Sequence, residues 1–374
     1  MDHDKHPHGR RLRIAQIAPL YESIPPKLYG GTERVVAHLC EGLAQRGHDV
    51  SLFAAGGSTV RVRLKPGCAT SLRLSGLHRE GPAYHLPMLS EVYEHAAEFD
   101  LIHSHVDYWD FPLRRLCSVP SISTLHGRLD MPRLKTVYRH FSDLPVVSIS
   151  NSQREPLREM KWMGTAYHGL PDNSLPYDSQ PDNYLAFLGR FSPEKRADLA
   201  IEIAQRAGIP LKIAAKVDEA NQEYFKSVIE PLLRRPGVEY LGEIHGRAKA
   251  AFLGKARALL FPIDWPEPFG LVMIEAMACG TPVIARPYGS VPEIIRDGVN
   301  GRIEDKVDEL VRAARRIDEI SRAGCRRDFE NRFTLDCMVS RYENMYWKVL
   351  DNSEDEPRGN KAQSVSDCLG SIAD

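Results

Sequence analysis

The chain has 374 residues, 43% of them hydrophobic and 26% charged, which is enough for two ordinary domains, each with a core of its own. Lysine plus arginine (49) nearly balances aspartate plus glutamate (50), which excludes a global bias toward nucleic acid or an anionic membrane and leaves any phosphate binding to local placement of charge. No apolar run is long enough to span a bilayer and Met1–Arg11 carries no apolar leader segment, so a cytoplasmic protein is expected.

In chain order, His3, His6 and His8 fall in a polar terminus and read as a tail rather than a metal site. Leu12 to Ala18 reads as a buried strand, and a loop rich in proline and glycine follows, Pro19 to Gly31. Thr32 is placed to cap a helix over Glu33 to Arg46, where Val35, Val36, Leu39 and Leu43 recur at helical spacing and Gly47 stops it. Val50 to Ala54 is again a strand, and this β–loop–α–β order predicts a parallel sheet. Gly56 to Pro87 is the least regular stretch of this half. It carries Arg61, Arg63, Lys65, Arg73, His78 and Arg79 and reads as a surface excursion, either solvated or touching an acceptor or a membrane face. Strands at Leu101 to Val106, Ser121 to Leu125 and Val146 to Ile149 alternate with helices at Met88 to Glu98 and Pro132 to Phe141.

Near Leu170 to Asn183 the composition shifts to Pro, Asp, Asn and Ser, a linker signature. A second alternating series begins at strand Tyr184 to Leu188, with helix Pro193 to Ala207, strand Leu211 to Ala215 and helix Asn221 to Leu233. Val238 to Leu241, Ala258 to Pro262 and Pro282 to Ala285 complete a second parallel set. The predicted fold is therefore α/β, with two Rossmann-like, doubly wound parallel-sheet domains. Residues 1–170 form the first, 171–183 the linker and 184–334 the second. A last helix over about 335–350 returns to the first domain, and a polar tail spans 351–374. The seven cysteines are scattered with no C-x-x-C pair, so reduced thiols are expected rather than a disulfide framework or a zinc site.

Four stretches carry candidate chemistry. Trp265-Pro-Glu-Pro-Phe-Gly-Leu-Val-Met-Ile-Glu275 follows a strand, turns through prolines and enters a helix near Phe269. The free N–H groups of Gly270, Leu271 and Val272 at that helix start form an anion site, and Gly270 lets a ligand come close. Glu267 sits before the turn and Glu275 within the helix, amid the apolar Ile274, Ala276 and Met277, where a carboxylate can clamp a pair of sugar hydroxyls. Gly189-Arg190 with Lys195 follows the first strand of the second half, where a fork and a point charge can neutralise a diphosphate. Tyr29-Gly30-Gly31-Thr32-Glu33-Arg34 is a glycine turn suited to phosphate. It is not G-x-G-x-x-G, which argues against a dinucleotide cofactor. Leu125-His126-Gly127 closes a strand on the same cleft side. His103, His105 and Asp107 read as packing or acceptor contacts, with no match to a metal template, and His168 as structural.

Together these motifs resemble glycosyltransferase family 4, with its two-lobed GT-B fold and central cleft, over roughly Arg11 to Leu350. The strongest mark is the E-x7-E element from Glu267 to Glu275. Gly189-Arg190 with Lys195, the Gly30-Gly31 turn, Leu125-His126-Gly127 and Gly280-Thr281-Pro282-Val283 follow in the expected order. The resemblance implies a retaining hexosyl transfer from a nucleoside-diphosphate sugar, a UDP- or GDP-sugar, to an acceptor hydroxyl, with no cofactor and no metal. Arg190 and Lys195 would stabilise the departing diphosphate, and the amides of Gly270, Leu271 and Val272, following Phe269, would hold the phosphates. Glu275 would bind the ribose hydroxyls and Glu267 the donor sugar. His126 would hydrogen-bond the transferred sugar or steady its developing positive charge through the backbone carbonyl. Gly30 and Gly31 would close over the diphosphate, and Ile244 lies where the family places the base. The acceptor is open among a small molecule, a lipid-linked sugar and an oligosaccharide, with no nucleic acid partner. The rival readings are a nucleotide-sugar epimerase of the same architecture and a non-catalytic nucleotide-sugar-binding protein.

Overall fold

The computed structural model describes residues 10–27 and 30–355, so His3, His6, His8, Tyr29, Cys368 and the tail beyond 355 lie outside the described residues. Two sheets organise the chain. The first runs in the order β3-β2-β1-β4-β5-β6-β7. Its strands are β1 Arg13–Ile17, β2 Asp49–Ala55, β3 Arg63–Cys68, β4 Leu101–Ser104, β5 Ser121–Thr124, β6 Val146–Ser148 and β7 Trp162–Thr165. The second runs β10-β9-β8-β11-β12-β13. It is built from β8 Leu185–Arg190, β9 Leu211–Lys216, β10 Val238–Tyr240, β11 Ala258–Phe261, β12 Val283–Ala285 and β13 Gly301–Ile303. Every pairing is parallel. The central strands β1, β4, β5 and β11 are buried along nearly their whole length because crossover helices cover both faces.

The order in which strands are added reverses once in each sheet, between β1 and β4 in the first lobe and between β8 and β11 in the second. Crevices open beyond the carboxyl ends of strands at such switch points. The segments leaving β1, β5, β8 and β11 are those that carry the Gly30 turn, His126, Arg190 with Lys195, and the Glu267 loop.

Several local expectations give way to tertiary context. The stretch 56–87 is not an irregular excursion: it contains the edge strand β3 and the start of a helix, Gly81–Glu94, that runs through Pro87. Proline reads as a breaker in sequence, but here it falls within the first two turns and costs a single backbone hydrogen bond. Thr32 is not the cap of the first helix, Gly31–Gln45. Gly30 is, with no side-chain cap bond, so the turn leads straight into open helix amides. The helix expected over 221–233 is broken into short α, π and α turns. The short strands β7 and β13 had no clear alternating signature.

The final helix, Leu335–Asp355, packs on the first lobe. Met338, Val339, Tyr342 and Tyr346 share one buried cluster with Val36, Leu39, Leu43 and Ile14. Gly42 permits this, since a Cβ there would stand 2.5 Å from Val339 Cγ2. His48, Arg46 and Glu343 close the seam, with His48 Nε2 2.9 Å from the Glu343 carboxylate. The described cysteines are all free thiols.

Candidate active site

One cleft of about 440 Å³ lies between the lobes, and all of the predicted site residues line it. Gly30, Gly31 and His126 come from the first lobe. Arg190, Lys195, Ile244, Glu267, Phe269, Gly270, Leu271, Val272 and Glu275 come from the second. In sequence the first of these residues, Gly30, and the last, Glu275, stand 245 positions apart. The two switch points bring them together.

The second-lobe wall is built on the helix Leu271–Ala278. Its cap is Gly270, at φ 78°, a left-handed conformation that an L side chain resists. The first amides of this helix therefore open on the cleft, with the positive end of its dipole. The preceding loop is held rigid: the Ser290 amide donates to the Glu267 carbonyl at 2.9 Å and the Ser290 hydroxyl to the Phe269 carbonyl at 2.7 Å.

Glu267 is nearly buried, and both its partners face the cleft. Lys195 Nζ pairs with Oε2, and Trp265 Nε1 donates to the same oxygen at 2.9 Å. The Lys195 ammonium also lies 4.9 Å from the Trp265 ring centre, a cation–π contact. Arg190 ends β8 and donates to Glu194 at 2.8 Å. Arg190 and Lys195 thus line the same cleft as the helix amides, each held in place by a carboxylate.

Glu275 is 4% exposed, and two cations hold one of its oxygens: Arg34 from the first lobe at 2.7 Å, and Lys249. Sequence reasoning missed both partners. Arg34 closes the Gly30-Gly31-Thr32-Glu33-Arg34 turn and had only its motif as a signal; Lys249 sits in a helix with no local mark.

His126 follows β5, and its ring stacks on His168 with centres 5.5 Å apart at 20°. His168, read from sequence as structural, is therefore part of the cleft wall and rests on Phe269 at 4.6 Å. Burial pushes the His126 pKa down to about 3, so its ring is neutral. Burial also pushes His103, His105 and His168 well below the usual histidine range. Asp107, just after β4, has a left-handed φ of 54° and accepts a hydrogen bond from the His126 backbone. Burial, with the nearby Asp110 charge, raises it to about 6. Among the described residues no group of histidine, cysteine and carboxylate side chains is arranged to hold a metal, and no helix is long and apolar enough to cross a membrane.

Known proteins resemble this chain in sequence and in fold. Residues 29–162 match the family model described as Glycosyltransferase Family 4, and residues 177–332 match Glycosyl transferases group 1. A D-inositol 3-phosphate glycosyltransferase of Mycobacterium tuberculosis is 25% identical over 388 residues, covering 86% of this chain and 80% of that protein. An uncharacterized glycosyltransferase of Methanocaldococcus jannaschii is 24% identical over 341 residues, covering 78% and 84%. Among solved structures, sucrose-phosphate synthase from Thermosynechococcus elongatus superposes with a TM-score of 0.71 at 21% identity, over 91% of this chain and all of its own. Anabaena HepE in complex with UDP superposes with a TM-score of 0.70 at 18% identity, over 90% of this chain. The fold is that of the GT-B glycosyltransferases. With the two family matches together spanning most of both lobes, the chain belongs to glycosyltransferase family 4.

Proposed function

We propose that this glycosyltransferase moves a hexosyl group from a UDP- or GDP-sugar to an acceptor hydroxyl, with retention and without a metal ion. The observation that carries the reading is that Arg190, Lys195, the amides after Gly270 and the Glu275 carboxylate all line one cleft. Negative charge develops on the leaving diphosphate, and preorganised cations and helix amides are the large term in stabilising it. They take the place of a divalent ion. The bond from the anomeric carbon to the diphosphate breaks and the acceptor oxygen bonds to the same face. The acceptor proton passes to the departing diphosphate oxygen. Glu275 takes the ribose hydroxyls, Ile244 flanks the base, and Glu267 contacts the sugar.

UDP and UDP-glucose are bound by HepE, which supports a uridine donor here. The mycobacterial relative's name adds a phosphorylated inositol to the acceptors worth testing, beside small-molecule, lipid-linked and oligosaccharide hydroxyls. A lipid-linked acceptor would bring the first lobe to a membrane surface. The reading requires a compartment supplied with sugar nucleotides, the cytoplasm.

The test is thermal unfolding against UDP-, GDP-, ADP- and TDP-sugars in EDTA, followed by acceptor screening with the donor that binds. A ligand at about a hundred times its dissociation constant stabilises the native state by roughly 2.7 kcal/mol. The expected result is a shift for one nucleotide family, lost in Glu275→Ala, and turnover that survives the chelator. Epimerised nucleotide sugar formed without any acceptor would overturn the transfer reading, and binding with no turnover toward any acceptor would leave a binding protein.

A further inference from the structure

Behind His126 a chain of hydrogen bonds runs through the first lobe to the final helix. His126 Nε2 lies 2.9 Å from His105 Nδ1, and His105 Nε2 lies 2.9 Å from Gln16 Oε1. Gln16 Nε2 donates to the Tyr346 hydroxyl at 3.1 Å, which is 2.7 Å from His103 Nδ1. His103 Nε2 is 2.8 Å from the Thr124 hydroxyl, which donates to Tyr342 at 3.1 Å. Gln16, His103, His105, Thr124, Tyr342 and Tyr346 are all buried.

The protons along such a chain are not independent. Each neutral imidazole has one N–H and one lone pair. The Gln16 carbonyl can only accept, so His105 carries its proton on Nε2 and offers a lone pair at Nδ1. His126 must then donate from Nε2. Its own Nδ1 is left with a lone pair, and that atom is buried with no hydrogen-bond partner among the described residues. Burial keeps every ring in the chain neutral, which makes the assignment unambiguous in proton count. A buried acceptor without a partner on a cleft-lining residue fits a ligand hydroxyl.

We propose that Gln16, His105 and Tyr346 are positioning residues that set the tautomer of His126, so that its Nδ1 accepts a hydroxyl of the transferred sugar. This rests on the reading of His126 as a donor-sugar contact. Gln16 is the reversal point. Turning its amide over would present N–H to His105, move each proton by one place, and make His126 Nδ1 a donor. Tyr346 holds that amide, so the final helix, 330 residues away in sequence, selects the polarity of a hydrogen bond in the cleft.

The experiment uses the full chain labelled with 15N-histidine, in which protonated and unprotonated ring nitrogens resonate far apart. His126 is identified by the signal missing from His126→Asn. The wild type is expected to show His126 and His105 protonated at Nε2. Gln16→Met and Tyr346→Phe should give mixed tautomers at His126, while Gln16→Glu, an acceptor toward His105, keeps the wild-type pattern. Turnover of the nucleotide sugar should fall about tenfold to a hundredfold in Gln16→Met, be restored in part in Gln16→Glu, and fall no further when Gln16→Met is added to His126→Asn. Affinity for the nucleoside diphosphate alone should be unchanged, which a merely structural defect would not give. A proton on Nδ1 of His126 in the wild type, or an unchanged His126 signal in both Gln16→Met and Tyr346→Phe, overturns the proposal. The expected tautomers in a protein inactive toward every nucleotide sugar would support the relay and remove the transferase reading beneath it.

Discussion

Arg34 of the first lobe reaches across the cleft to Glu275 of the second, 2.7 Å away, and Lys249 holds the same carboxylate oxygen. The group proposed to clamp the ribose is therefore already paired, and a diol must share or displace a cation to reach it. Lys249 belongs to Glu275's own lobe, whereas Arg34 moves with the other. Glu275→Gln should weaken nucleoside-diphosphate binding by about 2 kcal/mol, the range for hydrogen bonds to a charged group. Arg34→Gln should not weaken it, because the variant removes a competitor and leaves Lys249 in place. Calorimetric titration of both variants decides the point. A loss in Arg34→Gln as large as that in Glu275→Gln would mean that Arg34 itself contacts the nucleotide.

Lys195 is set between Glu267 and the face of Trp265. If it stabilises the leaving diphosphate, its contribution grows as the bond breaks. Lys195→Met should then lower kcat by about a hundredfold to a thousandfold, with a smaller change in the affinity for the unreacted donor. Steady-state kinetics in kcat and KM check the split. An effect confined to KM would make Lys195 a ground-state contact.

The parts of this site that could be read from sequence were those whose chemistry is written locally. Gly270 before an apolar helix and Arg190 at a strand end mark themselves through backbone geometry and strand periodicity. The pairing of Glu275 with Arg34 spans 241 residues, and that of His103 with Tyr346 spans 243, so no local period encodes either. β3 escaped notice because an edge strand needs no apolar alternation: its residues Arg63–Cys68 are exposed or half-buried. His168 looked structural because stacking on His126 exists only after the sheet has formed. The parallel order of both sheets was legible, since crossover helices impose a repeating pattern along the chain.

Gly270 combines a left-handed backbone with crowding. A Cβ there would meet Met273 Cε at 2.8 Å and Phe261 Cζ at 3.1 Å. The methionine end can swing aside, but the Phe261 ring is in the core. Gly270→Ala should cost about 1–3 kcal/mol of stability from backbone strain. It should also cost donor affinity, because the helix amides shift with the cap. A melting curve and a nucleotide titration on the same preparation measure both, and an unchanged melting point would show that the cap relaxes freely.

His38, on the first helix, has a pKa pushed down to about 4 by burial and then by the nearby Arg34 charge, against the opposing pull of Glu275. Its ring is therefore neutral in the folded chain, while the unfolded chain takes up a proton near pH 6.5. Below that pH the unfolded state binds more protons, so the stability His38 contributes is complete above about 6.5 and lost as the pH falls toward 4, at about 1.4 kcal/mol per pH unit. The cleft histidines act in the same direction. Asp107, raised to about 6, opposes them, because the folded state keeps its proton at a pH where the unfolded state has released it. The net slope thus mixes signs, and the difference between wild type and His38→Gln isolates one of them. Urea unfolding at pH 7.5, 5.5 and 4.5 should show the variant losing less stability than the wild type on acidification, with the gap opening only below about pH 6.5. Parallel losses across the whole range would mean that His38 takes up its proton at the same pH in the folded and unfolded chain, so that folding does not depress its pKa.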